Sequence, residues 1–539
     1  MKRIALVLVI LCSFTIYGQE DAWVYFNAKP NAQAFFNNPL SELSQRSLDR
    51  RANQNIGLDF KDVPINQSFI DQITATEGIV VLAKSKWFNA LHIQGSEEAI
   101  RLLTDLSFVE RVDFANRLLN NPLRPAVPKK KIRKVNKVFE TDVLFNYGNS
   151  ANQIQMLNGQ LLHQQNFTGA GKIIAVMDGG FPGVNTASTF SRLRNNNQIL
   201  GGYDYVNRNT DFYSGLSHGT LVLSTMGGFK DNELVGTAPD ASYYLFITED
   251  GANEWPLELS LWVEAAEEAD RLGVDIINTS LGYTEFDNPN YNFTYADMNG
   301  TTTFISKGLD IAFSRGMICV NSAGNSGNSP WFYISAPADA INALAIGAVN
   351  AAGDYATFSS QGPSSDGRVK PDVVAQGQQS VLSSTSGNIT TASGTSFSGP
   401  ITAGMVACLW QALPNATNSE IMQLIKQSAS THNNPTDELG FGIPDFNLAL
   451  NNGLLNVNTS DKGRFMVYPN PATDAVTIAF PAGYDNVTIY LYNTMGQLMV
   501  SRKLTGEDKS VPLTGFSSGI YLYKIESGSA SESGKITIR

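Results

Sequence analysis

Three short stretches of this 539-residue chain join a reactive side chain to a glycine-containing turn. Val176-Met177-Asp178-Gly179-Gly180 places an acid at the end of an apolar run. Ser217-His218-Gly219-Thr220 opens an apolar segment rich in small residues, and Ser393-Gly394-Thr395-Ser396-Phe397-Ser398-Gly399-Pro400 leads into the apolar run from Ile401 to Leu413. A serine hydroxyl is a poor nucleophile until an imidazole takes its proton, and that imidazole needs an anion behind it to fix its tautomer and stabilise the imidazolium. The chain has four histidines, so elimination is possible. His92 lies far upstream, His163 in a polar stretch and His432 in a segment rich in Asn and Pro; only His218 is followed by Gly-Thr at the head of a small-residue apolar segment. Each stretch alone is ordinary, since Asp-Gly is usually a turn and Gly-Thr-Ser usually a cap. Together, Asp178, His218 and Ser396 specify nucleophilic acyl transfer.

Elements of a particular kind must hold these three. Lys172-Ile173-Ile174-Ala175-Val176-Met177, Val274-Asp275-Ile276-Ile277-Asn278 and Met317-Ile318-Cys319-Val320-Asn321 are short apolar runs of the kind buried in a parallel sheet. Helical patterns such as Leu257 to Leu272 lie between them. That alternation predicts an α/β, doubly wound, mostly parallel sheet, with its site at the carboxyl ends of the strands. The run from Ile401 to Leu413 is apolar nearly all round, which predicts a central buried helix. A serine at the head of such a helix has backbone N–H groups and the positive helix end beside it, which suits a developing oxyanion.

The chain is too long for one ordinary core, and its composition divides it. Lys2 and Arg3, the mainly apolar run Ile4 to Ile16 and the small residue before Gln19 predict a cleavable export signal over 1–18, the run being shorter than the ~20 residues a membrane span needs. Residues 19–117 read as a small α+β domain: an extended Ala22-Trp23-Val24-Tyr25-Phe26, an apolar stretch from Ile79 to Ile93 long enough for two strands, a helix from Glu97, and a strand from Val109 to Phe114. Residues 118–140, with Pro122, Pro125, Pro128 and the basic run from Lys129 to Lys134, read as a linker open to proteolysis. The α/β domain takes 141–457, and 458–539, with short β-rich runs between Gly, Asp, Asn and Ser, predicts a β-sandwich.

Charge is uneven along these blocks. Residues 1–141 hold 19 Lys and Arg against 14 Asp and Glu, whereas 142–457 hold 11 against 28. The acidic middle argues against a nucleic-acid partner, and the opposite signs favour docking of the first block on the second. Cys12 lies in the export signal, and Cys319 and Cys408 sit in apolar surroundings as expected free thiols. After the signal, no segment is apolar for long enough to span a bilayer, so no transmembrane segment is expected in the mature chain.

The order Asp, His, Ser and the motifs around it make residues Tyr147 to Phe446 resemble the subtilisin-like peptidases. The resemblance extends to Thr168-Gly169-Ala170-Gly171, Gly236-Thr237-Ala238-Pro239, Asn278-Thr279-Ser280-Leu281-Gly282, Ser322-Ala323-Gly324-Asn325 and Lys370-Pro371-Asp372-Val373-Val374-Ala375. It implies a secreted serine endopeptidase working through an acyl-enzyme, with protein or peptide substrates and no cofactor needed for catalysis. Structural calcium is common in the family, but no liganding residue carries over. Asn325 is implied as an oxyanion-hole amide beside the Ser396 N–H, Ser280-Leu281-Gly282 as the strand that pairs with substrate, and Ala323-Gly324 as the opposite wall. Ser335, aligned with the pocket base, implies a roomy uncharged pocket for large apolar residues. Gly179-Gly180-Phe181, Phe397 and Gln376 depart from the usual pattern without removing a catalytic group.

The flanks also carry resemblances. Residues 19–117 look like an inhibitory, chaperone-like propeptide. Tyr468-Pro469-Asn470-Pro471-Ala472, Tyr492-Asn493-Thr494-Met495-Gly496-Gln497 and Gly519 to Ile525 resemble a type IX secretion sorting domain. That implies a secretion machinery as partner and passage through the periplasm and across an outer membrane, to the surface or medium. The competing class is a protease-shaped binding or adhesion protein that is catalytically idle; the intact triad and oxyanion positions weigh against it.

Overall fold

The computed structural model describes residues 18–120 and 145–460, and beyond them 466–468, 472, 474–479, 486–494, 496–505, 508–527 and 530–538. The expected export signal (all but its last residue) and most of the expected linker lie outside the described residues, as do Pro469 to Pro471 and Met495. The chain forms two compact units, dividing at Leu450 and Asn451.

The first unit begins with β1 (Gln19–Phe26). After it come α1 (Gln45–Asn53), α2 (Gln67–Thr74), β2 (Ile79–Ser85), β3 (Ala90–Ser96), α3 (Glu97–Leu102) and β4 (Val109–Phe114). The strands form a sheet in the order β2-β3-β1-β4, and β1 runs antiparallel to both neighbours. Successive residues of β1 face opposite ways. Ala22, Val24 and Phe26 pack with Ile73 of α2 and Ile100 of α3, whereas Trp23 and Tyr25 join a core belonging to the domain that follows. Covering on both faces is why this strand reads as continuously apolar.

The domain that follows is built on β5 (Ile173–Asp178), β6 (Ile199–Asp204), β7 (Ser242–Ile247), β8 (Ile276–Thr279), β9 (Ile318–Ser322), β10 (Leu344–Val349) and β11 (Val373–Gln376). All seven are parallel, in the order β11-β10-β9-β8-β5-β7-β6. The order reverses around β5, so a crevice opens at its carboxyl end. The helices that matter here are α4 (His218–Gly227), α5 (Leu257–Leu272), α6 (Phe304–Ser314) and α7 (Thr395–Ala412). The last is buried from Thr395 to Trp410 and starts six residues before the apolar run that announces it, so Ser396 lies inside the helix. Cys319 and Cys408 are buried free thiols.

The N-terminal domain is seated on α5 and α6. Trp23 Nε1 donates to Ser260 Oγ at 2.8 Å, and its ring stacks on Phe304 at 5.0 Å. Glu267 accepts from Ser85 Oγ at 2.5 Å and from the backbone of Trp87 at 3.0 Å. Further round, α1 brings Arg50 and Arg51 onto Asp270, both at 2.5 Å, while Arg51 and Arg315 share Asp62 at 2.8 and 3.0 Å. All five of these charged side chains are buried.

The second unit holds β12 (Met466–Tyr468), β13 (Ala475–Ala479), β14 (Asn486–Tyr492), β15 (Leu498–Thr505), β16 (Ser510–Pro512), β17 (Gly519–Ser527) and β18 (Ala530–Ile538). They form a three-stranded and a four-stranded sheet, ordered β12-β13-β16 and β15-β14-β17-β18. Val476 and Ile478 from one sheet and Ile489, Leu491, Ile525 and Ile536 from the other share one core.

Candidate active site

Asp178 is the last residue of β5 and is completely buried. His218 opens α4, and its Nδ1 lies 2.8 Å and 3.0 Å from the two Asp178 carboxylate oxygens. A carboxylate can only accept, so Nδ1 carries the hydrogen and Nε2 keeps its lone pair. The glycine after the histidine makes this approach possible: a Cβ on Gly219 would stand 2.5 Å from Gly180 O and 3.0 Å from Asp178 Cβ. Thr220 Oγ1 then pins the helix start to Pro182 O at 2.7 Å. The Asp178 charge holds the His218 pKa above its ordinary value, outweighing the burial that would lower it.

Ser396 is the second residue of α7 and only 8% exposed. The ring of its neighbour Phe397 lies 6.1 Å from the His218 imidazole. The Ser396 hydroxyl donates to Ser280 O at 3.2 Å, and the Ser280 hydroxyl donates to Ser396 O at 3.1 Å. The second bond has a backbone cause. Pro400, four residues on, has no N–H to give to the Ser396 carbonyl, and Ser280 supplies the donor.

Asn325 follows β9, and its Oδ1 accepts from Thr395 N at 2.8 Å and Thr395 Oγ1 at 3.0 Å. Those two donors fix which amide atom is oxygen, so the NH2 faces away from Thr395. A Cβ on Gly394 would lie 3.6 Å from that nitrogen, which puts the amide beside the turn into Ser396. Thr395 was not singled out by sequence reasoning, although its place immediately before the serine in Gly-Thr-Ser was a usable signal.

Ser280-Leu281-Gly282 leaves the carboxyl end of β8, and Ala323-Gly324 that of β9. The neighbouring Tyr283 N–H donates to Ala336 O at 2.8 Å, and Ser335 N–H to Ala323 O at 3.3 Å, so Ser335 and Ala336 tie the two segments together. Ser335 Oγ comes close to both glycines: a Cβ on Gly282 would stand 2.2 Å from it and one on Gly324 3.2 Å.

His163 and His92 are structural in their surroundings. His163 is buried between Tyr147 Oη at 2.8 Å and Thr237 O at 3.0 Å, and burial lowers its pKa to about 4. His92 lies between Ser260 Oγ at 2.8 Å and Asp21 at 3.0 Å.

Glu249, Glu254 and Glu258 bring carboxylate oxygens within 4.8 Å of one another. Burial, the largest cause in each, raises their pKa values to about 8, 7 and 10. Glu258 already accepts from Asp250 N at 2.7 Å and Glu249 from Tyr283 Oη at 2.7 Å.

The sequence matches the profile of the "Subtilase family" over residues 169–442, that of the "Peptidase S8 propeptide domain, Bacteroidota" over 21–134, and that of the "Secretion system C-terminal sorting domain" over 466–539. It is 28% identical over 305 residues to Subtilisin E of Bacillus subtilis (strain 168), covering 56% of this chain and 72% of that one. Subtilisin of Bacillus pumilus is 28% identical over 280 residues, covering 51% of this chain and 90% of its own. The membrane-bound transcription factor site-1 protease of Rattus norvegicus is 29% identical over 263 residues, covering 47% of this chain and 22% of its own. Among solved structures, that of MycP1 with its N-terminal propeptide removed is 22% identical, covers 56% of this chain and 96% of its own, and has a TM-score of 0.45.

Proposed function

The chain belongs to the subtilase family, and from that membership we propose how its own residues divide the work of a secreted serine endopeptidase. Ser396 Oγ attacks the scissile carbonyl while His218 Nε2 takes its proton. Asp178 fixes the imidazole tautomer through Nδ1 and stabilises the imidazolium. The carbonyl oxygen becomes an oxyanion, met by the Ser396 N–H at the head of α7 and by the Asn325 amide. His218 returns the proton to the leaving amine, and the acyl-enzyme on Ser396 is then hydrolysed by water. No cofactor enters these steps, and no residue is put forward as a calcium ligand.

The observation that carries this reading is the 2.8 Å His218–Asp178 contact at the head of α4, with the ring of Phe397, next to Ser396 on α7, 6.1 Å from the His218 imidazole. A hydroxyl resting on Ser280 O is compatible with it, because apo sites often tighten only when substrate arrives. Ser280-Leu281-Gly282 on one side and Ala323-Gly324 on the other would hold the substrate backbone in strand-like pairing. Main-chain pairing of that kind admits many protein sequences.

The N-terminal domain is a subtilase propeptide and the C-terminal unit a secretion sorting domain, so the enzyme is made as a zymogen and exported to the surface or medium. We further propose that cleavage between residues 118 and 140 separates propeptide from enzyme, and that the secretion machinery reads the C-terminal unit. Ser396→Ala in the full chain tests the assignment. It should abolish casein hydrolysis and leave the chain uncut between its first two domains; casein hydrolysis at the unaltered rate would exclude Ser396 as nucleophile.

A further inference from the structure

Ser335 is 6% exposed, and its hydroxyl has no hydrogen-bond partner. Burying a hydroxyl unpaired is costly, so its place in the fold needs a reason. It cannot retreat. Its own N–H is held by Ala323 O at 3.3 Å, its carbonyl accepts from Ala338 N at 2.8 Å, and Ala336 O accepts from Tyr283 N at 2.8 Å. The hydroxyl stands where a side chain on Gly282 would go, 2.2 Å from that Cβ position, and 3.2 Å from the Cβ position of Gly324. Ser360 Oγ also faces Gly324, but it is occupied, accepting from Ser326 N at 3.0 Å. The only unpaired group between the two glycine walls that these contacts show is therefore a rigidly held hydroxyl, able both to donate and to accept.

We propose that Ser335 makes this enzyme select a short polar residue, serine above all, immediately before the scissile bond. The inference rests on the peptidase reading and on Gly282 and Gly324 flanking that residue of the substrate. A serine side chain is short enough to stop at the Ser335 hydroxyl and pairs with it. Alanine and glycine fit but leave the hydroxyl unpaired. Phenylalanine, leucine and lysine need the space that the hydroxyl fills, and the tied backbone of Ser335 and Ala336 resists widening.

The test is a one-pot competition among hexapeptides differing only before the scissile bond, with enzyme matured from the full-length chain and its active sites counted with a fluorophosphonate. Serine should exceed alanine in kcat/KM by about tenfold, the worth of one hydrogen bond made good, and exceed phenylalanine by roughly 100-fold. Ser335→Ala should abolish the serine-over-alanine preference and, by removing the hydroxyl, raise phenylalanine cleavage relative to alanine. Ser335→Gly should raise phenylalanine cleavage at least about tenfold relative to alanine. A labelled enzyme that prefers phenylalanine to serine overturns this proposal and leaves the peptidase reading intact. So does a serine-over-alanine ratio unmoved by Ser335→Ala, a readout that stands even if the glycine variant fails to fold. Absence of fluorophosphonate labelling would overturn both together.

Discussion

Ser280 and Ser396 exchange hydrogen bonds: each hydroxyl donates to the other's carbonyl, at 3.1 and 3.2 Å. The exchange couples the segment proposed to pair with substrate to the proposed nucleophile. It also makes good a backbone defect, since Pro400 leaves the Ser396 carbonyl without its helical donor. Ser280→Ala should therefore destabilise the protein by about 1–3 kcal/mol, the cost of a buried acceptor left unpaired. Adding Pro400→Ala restores an N–H at that position and should recover part of the loss. Urea unfolding of the two variants checks this; no recovery in the double variant would mean that the carbonyl is not the group that suffers.

Asn325→Ala should lower kcat by roughly 10²–10³ with KM little changed, a magnitude carried over from subtilisin's own oxyanion-hole amide. Thr395→Val keeps the N–H that Asn325 accepts and removes the hydroxyl at 3.0 Å. It should lower kcat by a smaller factor and again spare KM, because it loosens the amide without deleting it. Steady-state kinetics on one peptide substrate measures both. Loss in KM alone would place Asn325 in ground-state binding.

The pH profile follows from the Asp178–His218 pair. His218 acts as a base only when neutral, and Asp178 holds its pKa above the ordinary 6.5. Activity should rise with pH through a limb lying above 6.5 and be lost below it. Asp178 is the anion that raises His218 most, so the residual activity of Asp178→Asn should rise through a limb at lower pH. A limb that moves upward in this variant would contradict the sign.

The motifs around Asp178, His218 and Ser396 were legible because each satisfies a local backbone need. Gly219 is required by the close pass over Gly180 and Asp178, and Thr395-Ser396 by the head of a buried helix. Ser335 was legible as a position but not as a filler. Its effect depends on how near Gly282 and Gly324 come to it, and they are far away in sequence. Nothing in the sequence around Arg50 and Arg51 marks them as buried, because Asp270, which they meet, lies some 220 residues downstream. Block charges pointed to docking but could not show that the central pairs exclude water.

That burial sets how the propeptide responds to salt and acid. Raising salt from 0.1 to 1 M shortens the screening length from about 10 Å to about 3 Å, which weakens exposed pairs far more than buried ones. Arg46–Asp275 is partly exposed, whereas Arg50, Arg51 and Asp270 are not. After the linker is cut, the N-terminal domain should stay bound in 1 M salt, and Arg51→Met should release it. Size-exclusion chromatography reads both; release of the unaltered protein by salt alone would refute the buried-pair account.

Acid should act where salt does not. Burial works to raise the Asp270 pKa, but Arg51 and Arg50 overcome it and hold the carboxyl below its ordinary 3.8. A depressed carboxylate contributes stability above its undocked pKa and loses it as pH falls through the docked one. The contribution of this pair to docking should therefore be unchanged from neutral pH down to about 4 and fail only below 3.8. Binding measured across that range, with Asp270→Asn as comparison, tests the window.

The central claim is that Ser396 becomes a nucleophile because His218 and Asp178 make it one. The most direct measurement is covalent labelling of the matured enzyme by a fluorophosphonate, followed by mapping of the modified residue by mass spectrometry. The account predicts one adduct per molecule, on Ser396, with labelling at neutral pH slowed by several orders of magnitude in His218→Ala. An adduct on another serine, or labelling of Ser396 that is as fast without His218, would contradict it.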